Sequence, residues 1–192
     1  MSTPPTPSLT EERRQILHDY FSKTIDIDRL GQGKFPLRGI CSMEHINLAL
    51  DASLGEEPDE TRVFPSAIDF PELSYSMATI LVAFNDATDE AVLCSDAWRL
   101  GLLPRYPEAT DSDSADRRRL EMIRDWLASH GITFQEQLAL TVNHVVRVGP
   151  KGHGAIGLYQ LLGKTAQGRS LHDALSISAE EYIAFLHTLI CP

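Results

Sequence analysis

The chain is 192 residues long, 43% hydrophobic and 23% charged, with a formal net charge of −10. That length fits one ordinary domain with a sizeable core, and the composition is that of a globular protein in water. An acidic balance of this size argues against non-specific nucleic-acid binding, which needs a positive field to displace counterions.

No apolar run approaches the length that spans a bilayer, so no membrane association is expected. The opening MSTPPTPSLTEERR lacks the basic-then-apolar order of a secretory signal, which makes a cytoplasmic location the default expectation. The three cysteines, Cys41, Cys94 and Cys191, are widely spaced and give neither a disulfide framework nor a zinc-binding spacing. They read as reduced thiols.

Residues 1–7 are Pro, Ser and Thr with little to bury and predict a flexible tail. Residues 8–192 are expected to form a single, mainly helical domain. Ser8-x-x-Glu11 is a capping box, and Ile16, Leu17, Tyr20 and Phe21 then share one helical face to about Lys23. Gly31 and Gly33 end that region, and Phe35-Pro36 keeps the chain extended. Ser42 is the natural N-cap of a helix from Met43 to about Ser53, with Ile46, Leu50 and Leu54 on one face. Gly55 stops it before the acidic loop Glu56–Glu60.

Asp69-x-x-Glu72, with Pro71 in the first turn, predicts a helix carrying Leu73, Met77, Ile80, Leu81 and Phe84. Thr88-Asp89-Glu90 opens the next, with Val92, Leu93, Ala97, Trp98 and Leu100 expected inside. A hairpin pairing 79–84 with 91–94 around Asn85-Asp86 is the alternative. Pro104–Ser114, rich in Pro, Asp and Ser, predicts an exposed acidic linker.

Arg117-Arg118-Arg119 lies beside Asp111, Asp113 and Asp116 and reads as a solvated helix start rather than a nucleic-acid contact. The helix Arg117–His130 follows, with Leu120, Ile123 and Leu127 inward, Met122 and Trp126 widening the stripe, and Gly131 as the stop.

The stretch from Thr133 to Lys164 reads two ways. Thr133-x-x-Glu136 is a capping box, and Leu138, Val142 and Val145 recur at helical spacing. The same residues also alternate as a strand would, and β-branched valines favour that reading. The first gives a mainly α fold. The second gives an α+β fold with a small sheet that includes 138–148. Gly149–Gly154 interrupts either element. If a helix follows from Ala155 to Gly163, Lys151, Gly152, His153 and Gly154 become a candidate anion or oxyanion loop at its start. Gly168-Arg169-Ser170 breaks the chain again, and Ser178-x-x-Glu181 begins a last helix through Tyr182, Phe185, Leu186 and Leu189.

Three functional readings follow. Lacking any specific catalytic motif, the chain reads first as a soluble acidic helical binding module, a regulatory, adaptor or inhibitor-like protein with a protein partner. The second reading is a Cys–His hydrolase or acyl transferase acting on an amide, ester or thioester. Cys41 is its nucleophile, His144 or His153 its base, Asp69 or Asp86 the orienting group, and the Gly152–Gly154 loop its oxyanion donor. The third is an apolar ligand pocket formed by Trp98 or Trp126 near His144. Glu44-His45 and His18-Asp19 are the nearest approach to a metal set. Adjacent residues on a helix point about 100° apart, and no HExxH occurs. Neither a metal nor a cofactor is expected.

Overall fold

The computed structural model describes residues 15, 46, 74–109, 112–132 and 153–192, apart from the side chains of residues 75, 153–157 and 159. The fold is mainly helical, and no strand occurs among the described residues. Six α-helices are used below: α1 (Tyr75–Asp86), α2 (Glu90–Leu93), α3 (Asp113–Ser129), α4 (His153–Ala166), α5 (Leu171–Leu175) and α6 (Ala179–Ile190). Between α2 and α3 the chain makes a π-helical turn, Ala97–Leu102, followed by a 3₁₀ turn, Leu103–Glu108. Gln15 and Ile46, within the two helices expected near the N-terminus, are helical.

Helix α1 is the centre. Its sequence YSMATILVAFND is apolar nearly all round, and Met77, Ala78, Ile80, Leu81, Ala83 and Phe84 are all buried. A helix without a polar face has to be surrounded. Helix α4 packs along it, and α6 packs on the π and 3₁₀ turns. Ile46 joins the same core at 1% exposure. The Asn85-Asp86 hairpin alternative is thus replaced by continuous helix, since a helix closes its own backbone hydrogen bonds in this fully buried position.

Helix α1 begins later than Asp69 predicted. Ser74 is its cap, with extended backbone and an Oγ that accepts from the Met77 N–H at 3.0 Å. Helix α3 begins earlier, at Ser112, whose hydroxyl accepts from Ala115 N. Its far end is a Schellman turn. Gly131, at φ +79°, lets Ile132 N reach Leu127 O and its own N–H reach Ala128 O. Gly131→Ala is expected to lower stability by about 1–2 kcal/mol, the cost of a side chain in the left-handed region. A thermal melt beside Gly163→Ala, a helical position where an added Cβ meets nothing within 4 Å, checks this.

Two expectations for the middle of the chain are corrected. The first half of the supposed linker 104–114 is core: Tyr106 is fully buried, its hydroxyl donates to Ser74 O at 2.7 Å, and Leu103, Pro107 and Ala109 are buried with it. Among the described residues of this stretch, Arg105 and the end, Ser112–Ser114, are exposed. Nor is the arginine triplet all solvated. Arg117 and Arg118 are exposed, but Arg119 is completely buried. Its guanidinium donates to Leu189 O at 2.8 Å, Ile190 O at 3.1 Å, Ser76 Oγ at 3.1 Å and Asp116 Oδ1 at 3.1 Å. Ser76 in turn donates to the same Asp116 oxygen. One residue thereby satisfies carbonyls at the C-terminal end of α6, which have no partner within their own helix.

Of the positions expected inside after Asp89, Val92, Leu93 and Trp98 are buried while Ala97 is exposed and Leu100 half-buried. The change from α to π winding after Ser95 shifts which side chains face the core.

Candidate functional site

Two loops meet beside Tyr182. The turn after α1, Ala87–Asp89, is held against the start of α5 by a backbone hydrogen bond from Leu171 N to Ala87 O at 2.7 Å. Thr88 lies in the first loop and donates to Phe84 O at 2.6 Å. With that hydrogen spent, the Tyr182 hydroxyl is the donor in its 2.6 Å bond to Thr88 Oγ. Burial pushes the Tyr182 phenol well above its ordinary value. The native state therefore keeps a proton that the unfolded chain gives up near the free tyrosine pKa of about 10. Stability is expected to fall as pH rises above that point, and Tyr182→Phe should remove this slope in urea titrations at several alkaline pH values.

This junction brings four polar side chains together. Asp89 caps α2, its Oδ1 accepting from Val92 N at 3.0 Å, while its Oδ2 lies 3.2 Å from His172 Nε2. On the other side of the ring, His172 Nδ1 is 2.9 Å from Ser170 Oγ. Ser170 donates to Asp173 Oδ2 at 2.6 Å. The Tyr182 ring meets His172 edge-on, with centroids 6.0 Å apart.

The order Asp–His–Ser resembles a nucleophile relay, but its protons run the wrong way. Ser170 has one hydrogen, and the Asp173 carboxylate takes it. Nδ1 of His172 must then donate to Oγ, so it is not the base that would accept the serine proton. What the cluster does offer is a nitrogen and two carboxylates within 4.8 Å of one another.

A second feature lies where α3 meets α6. Trp126 and Phe185 stack with centroids 4.1 Å apart and planes 4° from parallel, and both remain half-exposed. Phe84 lies behind them, 6.3 Å from each ring, and is fully buried. His130 packs edge-on against Trp126 at 5.3 Å, with its Nε2 3.6 Å from Glu181 Oε1. Met122, Ile132, Ile177 and Ala179 are further partly buried apolar side chains of the same core rim.

On another face Arg105 bonds Glu108 at 2.9 Å and lies 3.3 Å from His187 Nδ1. Arginine only donates, so Nδ1 accepts and the hydrogen of the neutral ring is on Nε2. Burial, then the Arg105 charge, holds His187 below the usual histidine pKa. The folded state thus resists a proton that the unfolded chain takes up near pH 6.5. Stability should decline as pH drops from there toward the lowered folded value, and His187→Gln should flatten the decline in acid denaturation curves.

The residues proposed from sequence are distributed as follows. Cys41, His144, Lys151 and Gly152 lie outside the described residues, as do His18, Asp19, Glu44, His45 and Asp69. His153 and Gly154 belong to the first turn of α4, so that helix starts two residues before Ala155. Asp86 is half-buried at the end of α1, near Asn85. Trp98 is fully buried and stacks on Tyr182 at 6.5 Å, while Trp126 lies 6.1 Å from the same ring. Cys94 is half-buried and Cys191 exposed, and neither is in a disulfide. Iodoacetamide at neutral pH is expected to label Cys191 well ahead of Cys94, read by peptide mapping. A Cys41 faster than both is what the Cys–His reading requires.

Sequence reasoning used Asp89 only as a helix start and Ser170 only as part of a chain break, and passed over His172 and Asp173. Their one visible signal is Ser-x-His-Asp at a helix N-terminus, which does not reveal the aspartate facing it from another loop. No protein family, curated protein or solved structure matches this chain.

Proposed function

We propose that the protein is a helical binding module whose partner is a basic, amphipathic protein segment docking on the Trp126–Phe185 pair. The observation that carries the reading is two stacked aromatic rings left half-exposed over a filled core. Large aromatic side chains at a desolvated centre supply most of the energy of typical protein interfaces. Phe84 and Tyr182 stiffen the pair from behind, so little side-chain entropy remains to be lost on docking. Charge adds to this. Asp125 precedes Trp126, Glu180 and Glu181 lie about one helical turn before Phe185, all three are exposed, and the whole chain is acidic, which favours encounter with a basic segment.

The test is a fluorescence-polarisation titration of the full chain with a labelled Leu/Lys amphipathic peptide and with its Leu/Glu counterpart. The expected result is saturable binding of the basic peptide, weakened by salt. Trp126→Ala should lower its affinity by about 2 kcal/mol, as at an interface anchor. Equal binding of the two peptides, no binding of either, or indifference to Trp126→Ala would sink the reading.

A further inference from the structure

We propose that Asp89, His172 and Asp173 form a binding site for one first-row divalent cation such as Zn²⁺. The argument begins with hydrogen atoms. Ser170 spends its only hydrogen on Asp173, so His172 Nδ1 must carry the hydrogen of the bond to Ser170 Oγ. That leaves Nε2 facing the Asp89 carboxylate across 3.2 Å. In a neutral ring this nitrogen is a lone pair, and two acceptors at that distance repel. A cation between them relieves that repulsion, as a second ring proton would.

The distance suits a metal. With ligand bonds of about 2.1 Å, neighbouring donors on one ion are about 3.0 Å apart in an octahedron and about 3.4 Å apart in a tetrahedron. The observed 3.2 Å lies between the two. Asp173 supplies the third donor within 4.8 Å, through a 65% exposed carboxylate whose Oδ2 is held by Ser170. One imidazole with two carboxylates favours Zn²⁺, Mn²⁺ or Fe²⁺ over Ca²⁺, which prefers an all-oxygen shell.

The ligands are also held in place before any ion arrives. Asp89 is fixed by capping α2, and the Leu171–Ala87 backbone bond joins the two loops. The Nδ1–H···Oγ bond sets the ring orientation and tautomer, as the outer partner of a metal-bound histidine does. His172 is only 12% exposed and Asp89 36%, so protein encloses one side while solvent reaches the other.

The test uses the full chain, stripped of metal by chelator and dialysis, then titrated calorimetrically with Zn²⁺ and separately with Mn²⁺. One equivalent should bind and raise the melting temperature. Asp89→Asn keeps the cap on α2, since asparagine caps equally well, yet should weaken Zn²⁺ binding at least tenfold. His172→Gln should do the same, and Asp113→Asn should leave Zn²⁺ binding unchanged. With Co²⁺ as a spectroscopic probe, visible d–d bands should appear in the parent and be lost in His172→Gln. The proposal is overturned if no equivalent binds, or if binding and spectrum survive both ligand substitutions, which would place the ion on other residues. Neither result depends on whether a peptide docks at Trp126.

Discussion

Replacing Arg119 with alanine is expected to lower the unfolding free energy by about 3–5 kcal/mol, the usual cost of removing one partner from a buried charged network. The guanidinium is fully enclosed and makes four hydrogen bonds to protein partners. Its loss leaves the Leu189 and Ile190 carbonyls without their side-chain donor and takes the cation away from the Asp116 carboxylate, which keeps Ser76, and stranded polar groups each cost about 1–3 kcal/mol. Arg119→Lys should recover only part, because a point ammonium cannot span the same fork of acceptors. Arg99 is the control. It is also buried, but its ion pair is to Asp96, whose side chain is 79% exposed, and its Nε has no hydrogen-bond partner among the described residues. Arg99→Met should therefore cost less than about 1 kcal/mol. Urea midpoints at constant slope separate the two cases.

The second large effect is at Phe84. This ring is 0% exposed and touches Trp126, Tyr182 and Phe185 at centroid distances of 6.0–6.3 Å. Phe84→Ala opens a cavity at the centre of the aromatic group, for a loss of about 3–5 kcal/mol. Phe84→Leu, which refills much of the space, should lose less than half of that. The same substitution loosens the support behind the exposed pair. Trp126 emission should shift to the red in Phe84→Ala, and the basic peptide should bind more weakly even where the protein is fully folded. An unchanged spectrum and affinity would show that the pair does not depend on its inner neighbour.

What was legible in the sequence was local. Ser178 with Glu181 two turns before the last leucine, Asp89 ahead of Glu90, and Gly131 after Ser129 all announce helix ends through chemistry that acts within one turn. The observed caps at Ser178 and Asp89 and the positive φ of Gly131 follow that chemistry. The spacing of Leu120, Ile123 and Leu127 likewise named the inner face of α3. Illegible were the features fixed by distant partners. Tyr106 is inside because Ser74 offers its carbonyl, and a stretch of Pro, Asp and Ser hides that. Arg119 is enclosed because α6 ends against it, and three consecutive arginines look alike until then. The Asp89–His172 pair depends on two turns meeting, which no periodicity encodes. The candidate thiol–imidazole pair, Cys41 with His144, lies outside the described residues.

The winding between Ser95 and Leu103 sets the rotational phase of everything after it. A π-helical turn bonds i to i+5 and so takes in more chain than an α-helical one. Ala97–Leu102 is wound this way, and the tighter 3₁₀ coil that contains Tyr106 follows directly. Deleting Gly101 should shorten the turn by one residue and rotate Tyr106 about 100° away from the Ser74 carbonyl.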